Sequence, residues 1–186
     1  SNSGTVGFNI AANAVNAGTT HHAGATALLQ FVAAQSAQFI SGSVTDSQRG
    51  ISQTISNSGT VSVALSVSAK GGANGNARAS AETLFSQHAQ DAAAVSESLN
   101  NTGSILVQDK VSASGDIGEI DANNYMRGFA QQYSDQSNSA AEDRTASLAI
   151  VNSVILSTVL SATAVAGVTN KANAQAAEYG GIRQST

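Results

Sequence analysis

The stretch Asn57-Ser58-Gly59-Thr60-Val61-Ser62-Val63-Ala64-Leu65-Ser66-Val67-Ser68-Ala69-Lys70-Gly71-Gly72-Ala73-Asn74-Gly75, continuing to Gln87, decides the fold class. Val61, Val63, Leu65, Val67 and Ala69 alternate with small residues, glycines interrupt, and Ala77, Ala79 and Ala81 resume the alternation. A strand sends successive side chains to opposite faces, so period two gives each segment one apolar face; a helix would scatter the same residues around its circumference. The stretch reads as strand, glycine turn, strand.

Outward from it, the pattern recurs. One copy begins at Asn2-Ser3-Gly4-Thr5-Val6, with Val6, Phe8, Ile10, Ala12 and Ala14 alternating, and another at Asn101-Thr102-Gly103-Ser104-Ile105. A further copy begins at Asn152-Ser153 and runs through Leu156, Leu160, Ala162 and Ala164 to Ala172, Ala174 and Ala176. The starts at Asn2, Asn57, Asn101 and Asn152 lie 55, 44 and 51 residues apart, so the copies carry insertions. About four divergent strand, Gly-turn, strand repeats predict an all-β single domain over 1–186, a β-solenoid or stacked β-fibre. The alternative is a pilin-like β-sandwich completed by a donated strand from the uncharged first 45 residues.

A second motif closes the copies: Ile51-Ser52-Gln53, Phe85-Ser86-Gln87, Phe129-Ala130-Gln131 and Ile182-Arg183-Gln184, with Phe31-Val32-Ala33 a weaker case. Stacked in register, Gln53, Gln87, Gln131 and Gln184, and the starting asparagines Asn2, Asn57, Asn101 and Asn152, would form amide ladders along the stack. The competing reading is a half-exposed strand with solvated glutamines. The junction Gly50-Ile51-Ser52-Gln53 to Val61 is nearly reproduced by Gly181-Ile182-Arg183-Gln184 followed by Ser1 to Val6. That match predicts a tandem array or subunits stacked end to end. Segments 26–40, 83–98 and 126–149 fit either helix or strand, and 131–144 reads as an exposed excursion.

Composition narrows the function. Proline and cysteine are absent, which permits uninterrupted strands and excludes disulfides and Cys-based metal sites. Only 11% of residues are charged, against roughly 25% in ordinary globular chains. No Asp, Glu, Lys or Arg precedes Asp46. The surface is therefore built from Ser, Thr, Asn, Gln and Ala, which suits a chain covered by copies of itself. A net charge of −4 offers no footprint for nucleic acid. No signal-peptide pattern is visible at the start. The uncharged run 148–168 is long enough to span a bilayer but is diluted by Asn152, Ser153, Ser157, Thr158, Ser161 and Thr163, so buried strand is expected and no membrane span.

The Asn-Ser-Gly-Thr-Val starts, the alternating Val strands and the Gly-Ile-Ser-Gln and Gly-Ile-Arg-Gln closures resemble passenger repeats of bacterial autotransporter and haemagglutinin-like surface adhesins. Ser3 to Gly18, with its spaced Asn, also resembles secreted functional amyloid subunits of the curli and Fap kinds. Both resemblances imply a secreted or cell-surface β-rich fibre without enzymatic activity.

The search for chemistry gives little. His21 and His22 are adjacent and His88 is remote, so they make no chelate. Asp116, Glu119 and Asp121 are weak Ca²⁺ candidates lacking the spacing of calcium-binding β-rolls, and a solvated acidic turn accounts for them. Gly71 to Gly75 lacks the lysine of a phosphate loop, and no serine sits in a nucleophile elbow. Asp135, Glu142 and Asp143 have no special spacing. No cofactor is expected, and no cleft of carboxylates or aromatics is legible. The expected function is a non-enzymatic structural subunit or segment of a bacterial extracellular fibre or adhesin that self-associates end to end, serving adhesion or a biofilm matrix. Partners would be copies of itself and surface glycans. The alternatives are a phage tail-fibre or receptor-binding module, and a donor-strand-exchanged pilus subunit.

Overall fold

A computed structural model describes residues 1–16, 18, 20–38, 50–116, 118–135, 145–154, 156–167, 171–179 and 181–185. They form 13 strands: β1 (Thr5–Asn16), β2 (Ala23–Leu29), β3 (Ala33–Gln38), β4 (Gly50–Asn57), β5 (Thr60–Gly71), β6 (Gly75–Gln90), β7 (Ala94–Asn101), β8 (Ile105–Gly115), β9 (Glu119–Asp135), β10 (Thr145–Asn152), β11 (Leu156–Ala166), β12 (Lys171–Glu178) and β13 (Ile182–Ser185). The protein is all-β. Three sheets hold the strands: a valine-rich sheet β1-β5-β8-β11, an alanine-rich sheet β12-β9-β6-β2 to which β3 and β13 add, and a closing sheet β10-β7-β4.

Every pairing between these strands is parallel. This departs from the pilin-like sandwich, whose hairpins and Greek keys run antiparallel. The first strand is no free donor either, since β1 is paired with β5 from Thr5↔Thr60 to Asn16↔Gly71. The pairing sets like on like: Val6, Val61, Ile105 and Leu156 form one column, and Ala12, Val67, Val111 and Ala162 another. In the alanine-rich sheet Ala25, Ala77, Ala122 and Ala174 align.

Period two then builds the core. Val61, Val63, Leu65 and Val67 point inward from one sheet and Ala77, Ala79 and Ala81 from another, all buried in one cluster. Large side chains facing small ones let the sheets approach without voids. Each buried Val or Leu contributes roughly 1.5–3 kcal/mol by leaving water. The outer strands of the valine-rich sheet, β1 and β11, are less covered: Phe8, Ile10, Leu156 and Leu160 are only partly buried against the same cluster.

The three ambiguous segments resolve, where described, as strands joined by short non-helical connections at 30–32 and 91–93: β2 and β3, then β6 with β7, then β9 with the start of β10. Residues 39–49 and 136–144 lie outside the described residues, and with them most of the expected polar excursion as well as Glu142 and Asp143. The uncharged run 148–168 is divided between β10 and β11, whose residues are half-buried or exposed, less covered than the expected buried strand.

Glycine is required at the corner opening the second and third copies. A Cβ on Gly59 would collide with the Gly4 carbonyl, and one on Gly103 with the Gly59 carbonyl, because the turn backbones stack directly. Before β9, Gly118 has φ +95°, a conformation that favours glycine.

A candidate binding groove and the interior amide columns

Two interior columns of amides run the height of the stack. Asn2 Nδ2 donates to Asn57 Oδ1 (2.8 Å), Asn57 Nδ2 to Asn101 Oδ1 (2.6 Å), and Asn101 Nδ2 to Asn152 Oδ1 (2.6 Å). The Gly4 amide donates to Asn2 Oδ1 at one end and Asn152 Nδ2 donates to the Val154 carbonyl at the other, which fixes the amide orientations.

The glutamine column runs the opposite way: Gln184 Nε2 donates to Gln132 Oε1 (2.7 Å), Gln132 to Gln87 (2.8 Å), and Gln87 to Gln35 (3.0 Å). Its second amide hydrogens reach across the layer to the closing sheet, from Gln35 to the Thr54 carbonyl, Gln87 to Ser98 and Gln132 to Ala149. A flipped amide would set oxygen against these carbonyls, so each orientation is determined.

This column corrects two of the four expected glutamines. Gln131 faces outward one residue away from Gln132, because the Phe85 motif pairs with Ala130 and not with Phe129. The two phenylalanine rings meet edge to face, 5.6 Å apart. Gln53 lies in β4 on the closing sheet, in register with Glu97, and its Nε2 donates to the His88 carbonyl (3.1 Å). The Ile51 closure and the Ile182 closure therefore sit on different sheets, since β13 pairs with β9 while β4 pairs with β7. Gln35 was hidden in a segment whose periodicity fitted two structures.

Two carboxylates also point inward. Glu97 is 1% exposed, and neither oxygen has a well-formed hydrogen bond. Burial pushes its pKa from 4.5 to about 7, offset in part by the nearby Tyr133 backbone N–H. Asp109, in register with Leu65, is raised by burial from 3.8 to about 6, against the opposing effect of the Leu65 N–H, which donates to its Oδ1 at 3.2 Å. Asn124 crosses from the alanine-rich sheet to donate to the Asp109 carbonyl (2.9 Å).

The most distinctive external feature is a groove of about 710 Å³ on the outer face of the alanine-rich sheet. Consecutive residues Leu84 and Phe85, and Phe129 and Ala130, are buried where β6 and β9 depart from period two. The neighbouring strands break at the same level, with the Gly181 carbonyl accepting from the Phe129 and Ala130 amides. Side chains from both sides of this kink line the groove.

Two of the chain's three tyrosines, Tyr125 and Tyr179, stand in the groove with ring centres 6.0 Å apart. Arg78, Arg127 and Arg183 line it as well, three of the chain's eight cations. The Tyr125 hydroxyl donates to Gln175 Oε1 (2.9 Å), with Asn123 Oδ1 3.1 Å from the same hydroxyl, and Gln175 Nε2 donates to the Tyr179 hydroxyl (3.4 Å). The Arg78 guanidinium lies 5.7 Å from the Tyr125 ring centre. Arg127 pairs with Glu82 at 3.2 Å, while Arg183 makes no ion pair among the described residues. Outward positions far apart in sequence converge here when the strands pair, a placement that was not legible in the sequence.

The acidic candidates Asp116, Glu119 and Asp121 sit in the turn before β9 and at its start. The Glu119 backbone N–H donates to Asn74 Oδ1 (2.9 Å) and Asp121 Oδ1 accepts from Asn173 (3.3 Å). Among the described residues no three His, Cys, Asp or Glu side chains gather as a metal site. No helix among them is long and apolar enough to cross a membrane.

Comparison of the chain with protein-family models, curated proteins and solved structures gives no match.

Proposed function

We propose that this chain is a β-solenoid segment of about four layers that presents a receptor-binding groove on a rigid stack, outside a cell or on a phage-like fibre, and that it is not an enzyme. The observation behind this reading is the groove, which gathers two tyrosines, three arginines and the amides of Asn123 and Gln175 on one concave face of a chain with few aromatic or charged residues. Tyrosine bodies supply flat apolar platforms, and arginine and amide groups supply directed hydrogen bonds, the mixture that fixes a polar ligand in a site.

A filled-groove variant tests it. A Cβ on Gly128 would meet the Gly181 carbonyl at 3.6 Å and Thr83 Oγ1 at 3.8 Å, ordinary contact distances, so Gly128→Leu extends into the groove without a backbone collision. On an array of surface glycans the unaltered protein should bind a defined subset, and Gly128→Leu should lose it while melting at the same temperature. Binding indifferent to Gly128→Leu would remove the groove from the reading.

A second reading, the self-associating fibre or adhesin segment, draws on the partly exposed inward residues Phe8, Ile10, Leu156 and Leu160. A further layer would bury them, whether it belongs to the same chain or to a second copy. Filaments in electron micrographs would favour a fibre segment, and a closed trimer by mass a receptor-binding head.

A further inference from the structure

We infer that the ligand of this groove is an oligosaccharide bearing carboxylates, lying across the kink of the alanine-rich sheet; this rests on the binding reading above and names the ligand class. The groove carries three guanidinium groups against one carboxylate, Glu82, and Glu82 is held by Arg127 and by the Ser80 hydroxyl (2.9 Å). The local balance is positive on a chain of net charge −4. A planar guanidinium matches a carboxylate with two parallel hydrogen bonds, and Arg183, without an ion pair among the described residues, is placed to offer them.

The ligand is an oligomer because the groove does not end at the kink. A second recess of about 320 Å³, lined by Phe31, His88 and Tyr133, shares Gln131 with the first. The His88 and Tyr133 rings meet at a tilt of 52° with centres 4.8 Å apart, and Phe31 and Tyr133 are 44% and 37% exposed. Tyr179 and Tyr125 on one side, and Tyr133 and Phe31 on the other, thus give successive platforms for sugar rings, with the arginines concentrated at the kink and on its Tyr125 side.

Titration calorimetry with three probes of equal length tests the inference: a hexagalacturonate, neutral maltohexaose and sulfated maltohexaose. The hexagalacturonate should bind at least tenfold more tightly than either of the others, and more weakly as salt rises. Arg183→Glu should weaken it at least tenfold without shifting the melting temperature, and Arg183→Lys should weaken it less. Tyr133→Ala should weaken the hexamer but leave digalacturonate binding unchanged. Maltohexaose binding as tightly as the uronate would overturn the charge assignment while leaving the groove a binding site. Tighter binding of the sulfated probe would overturn the carboxylate assignment, and equal weakening of hexamer and dimer by Tyr133→Ala would overturn the extended pose. If none of the three binds at millimolar concentration and glycan arrays are blank, both the inference and the binding reading fall.

Discussion

The glutamine column at Gln35, Gln87, Gln132 and Gln184 and the neighbouring column at Gln53 and Glu97 face the same interior, yet only the first is complete. An amide carries both donor and acceptor, so each member of the first column satisfies the next and has a hydrogen left for the closing sheet. An ionised carboxylate only accepts. Placed between Gln53 and Leu148, which ends the column, Glu97 leaves its own oxygens and Gln53 Oε1 without well-formed hydrogen bonds. Side chains of nearly equal size thus differ in the number of protons they bring to the column.

Moving the carboxylate into the complete column should have the largest effect. Gln87→Glu places a charge between Gln35 and Gln132 and should cost roughly 3–5 kcal/mol at pH 8, measured by urea unfolding, with most of the loss recovered at pH 5 as the acid protonates. Gln87→Leu, which removes the hydrogen bonds but keeps the bulk, should cost about 2–3 kcal/mol at either pH. Equal losses for both variants at pH 8 would mean that charge is not what separates the columns.

The reverse exchange gives Gln53 Oε1 the donor it lacks. Because the Glu97 and Asp109 carboxyls titrate higher in the fold than in the unfolded chain, the folded state binds more protons, and stability should fall as pH rises from about 4 to about 7. Glu97→Gln should raise stability by roughly 1–2 kcal/mol at pH 8 and flatten the upper part of that decline. A decline unchanged by Glu97→Gln would assign it to other groups. The smallest effect belongs to Gln131→Ala, an outward position next to the column, expected within about 0.5 kcal/mol of the parent.

The valine and alanine alternations in the sequence carried the strand assignment and the stacking of like on like, since period two has one structural solution when it recurs. Register by one residue was less legible. Phe85 and Phe129 invite alignment by eye, yet the tertiary pairing sets Phe85 against Ala130 and brings Gln132 inward, and no local pattern records the kink responsible. Asp109 was readable in principle: the inward series Ile105, Val107, Val111, Ala113 steps over it, and the skipped position is the buried one. The groove was not readable, because Arg78, Tyr125 and Tyr179 become neighbours only once three layers are superposed.

The asparagine amides point their donors toward the fourth layer and the glutamine amides toward the first. The side-chain dipoles of the two columns therefore oppose one another. An α-helix accumulates charge at its ends as its peptide dipoles align. Here each of the four layers contributes one amide of either sense, so they superpose without their side-chain amides building an electric field along the axis.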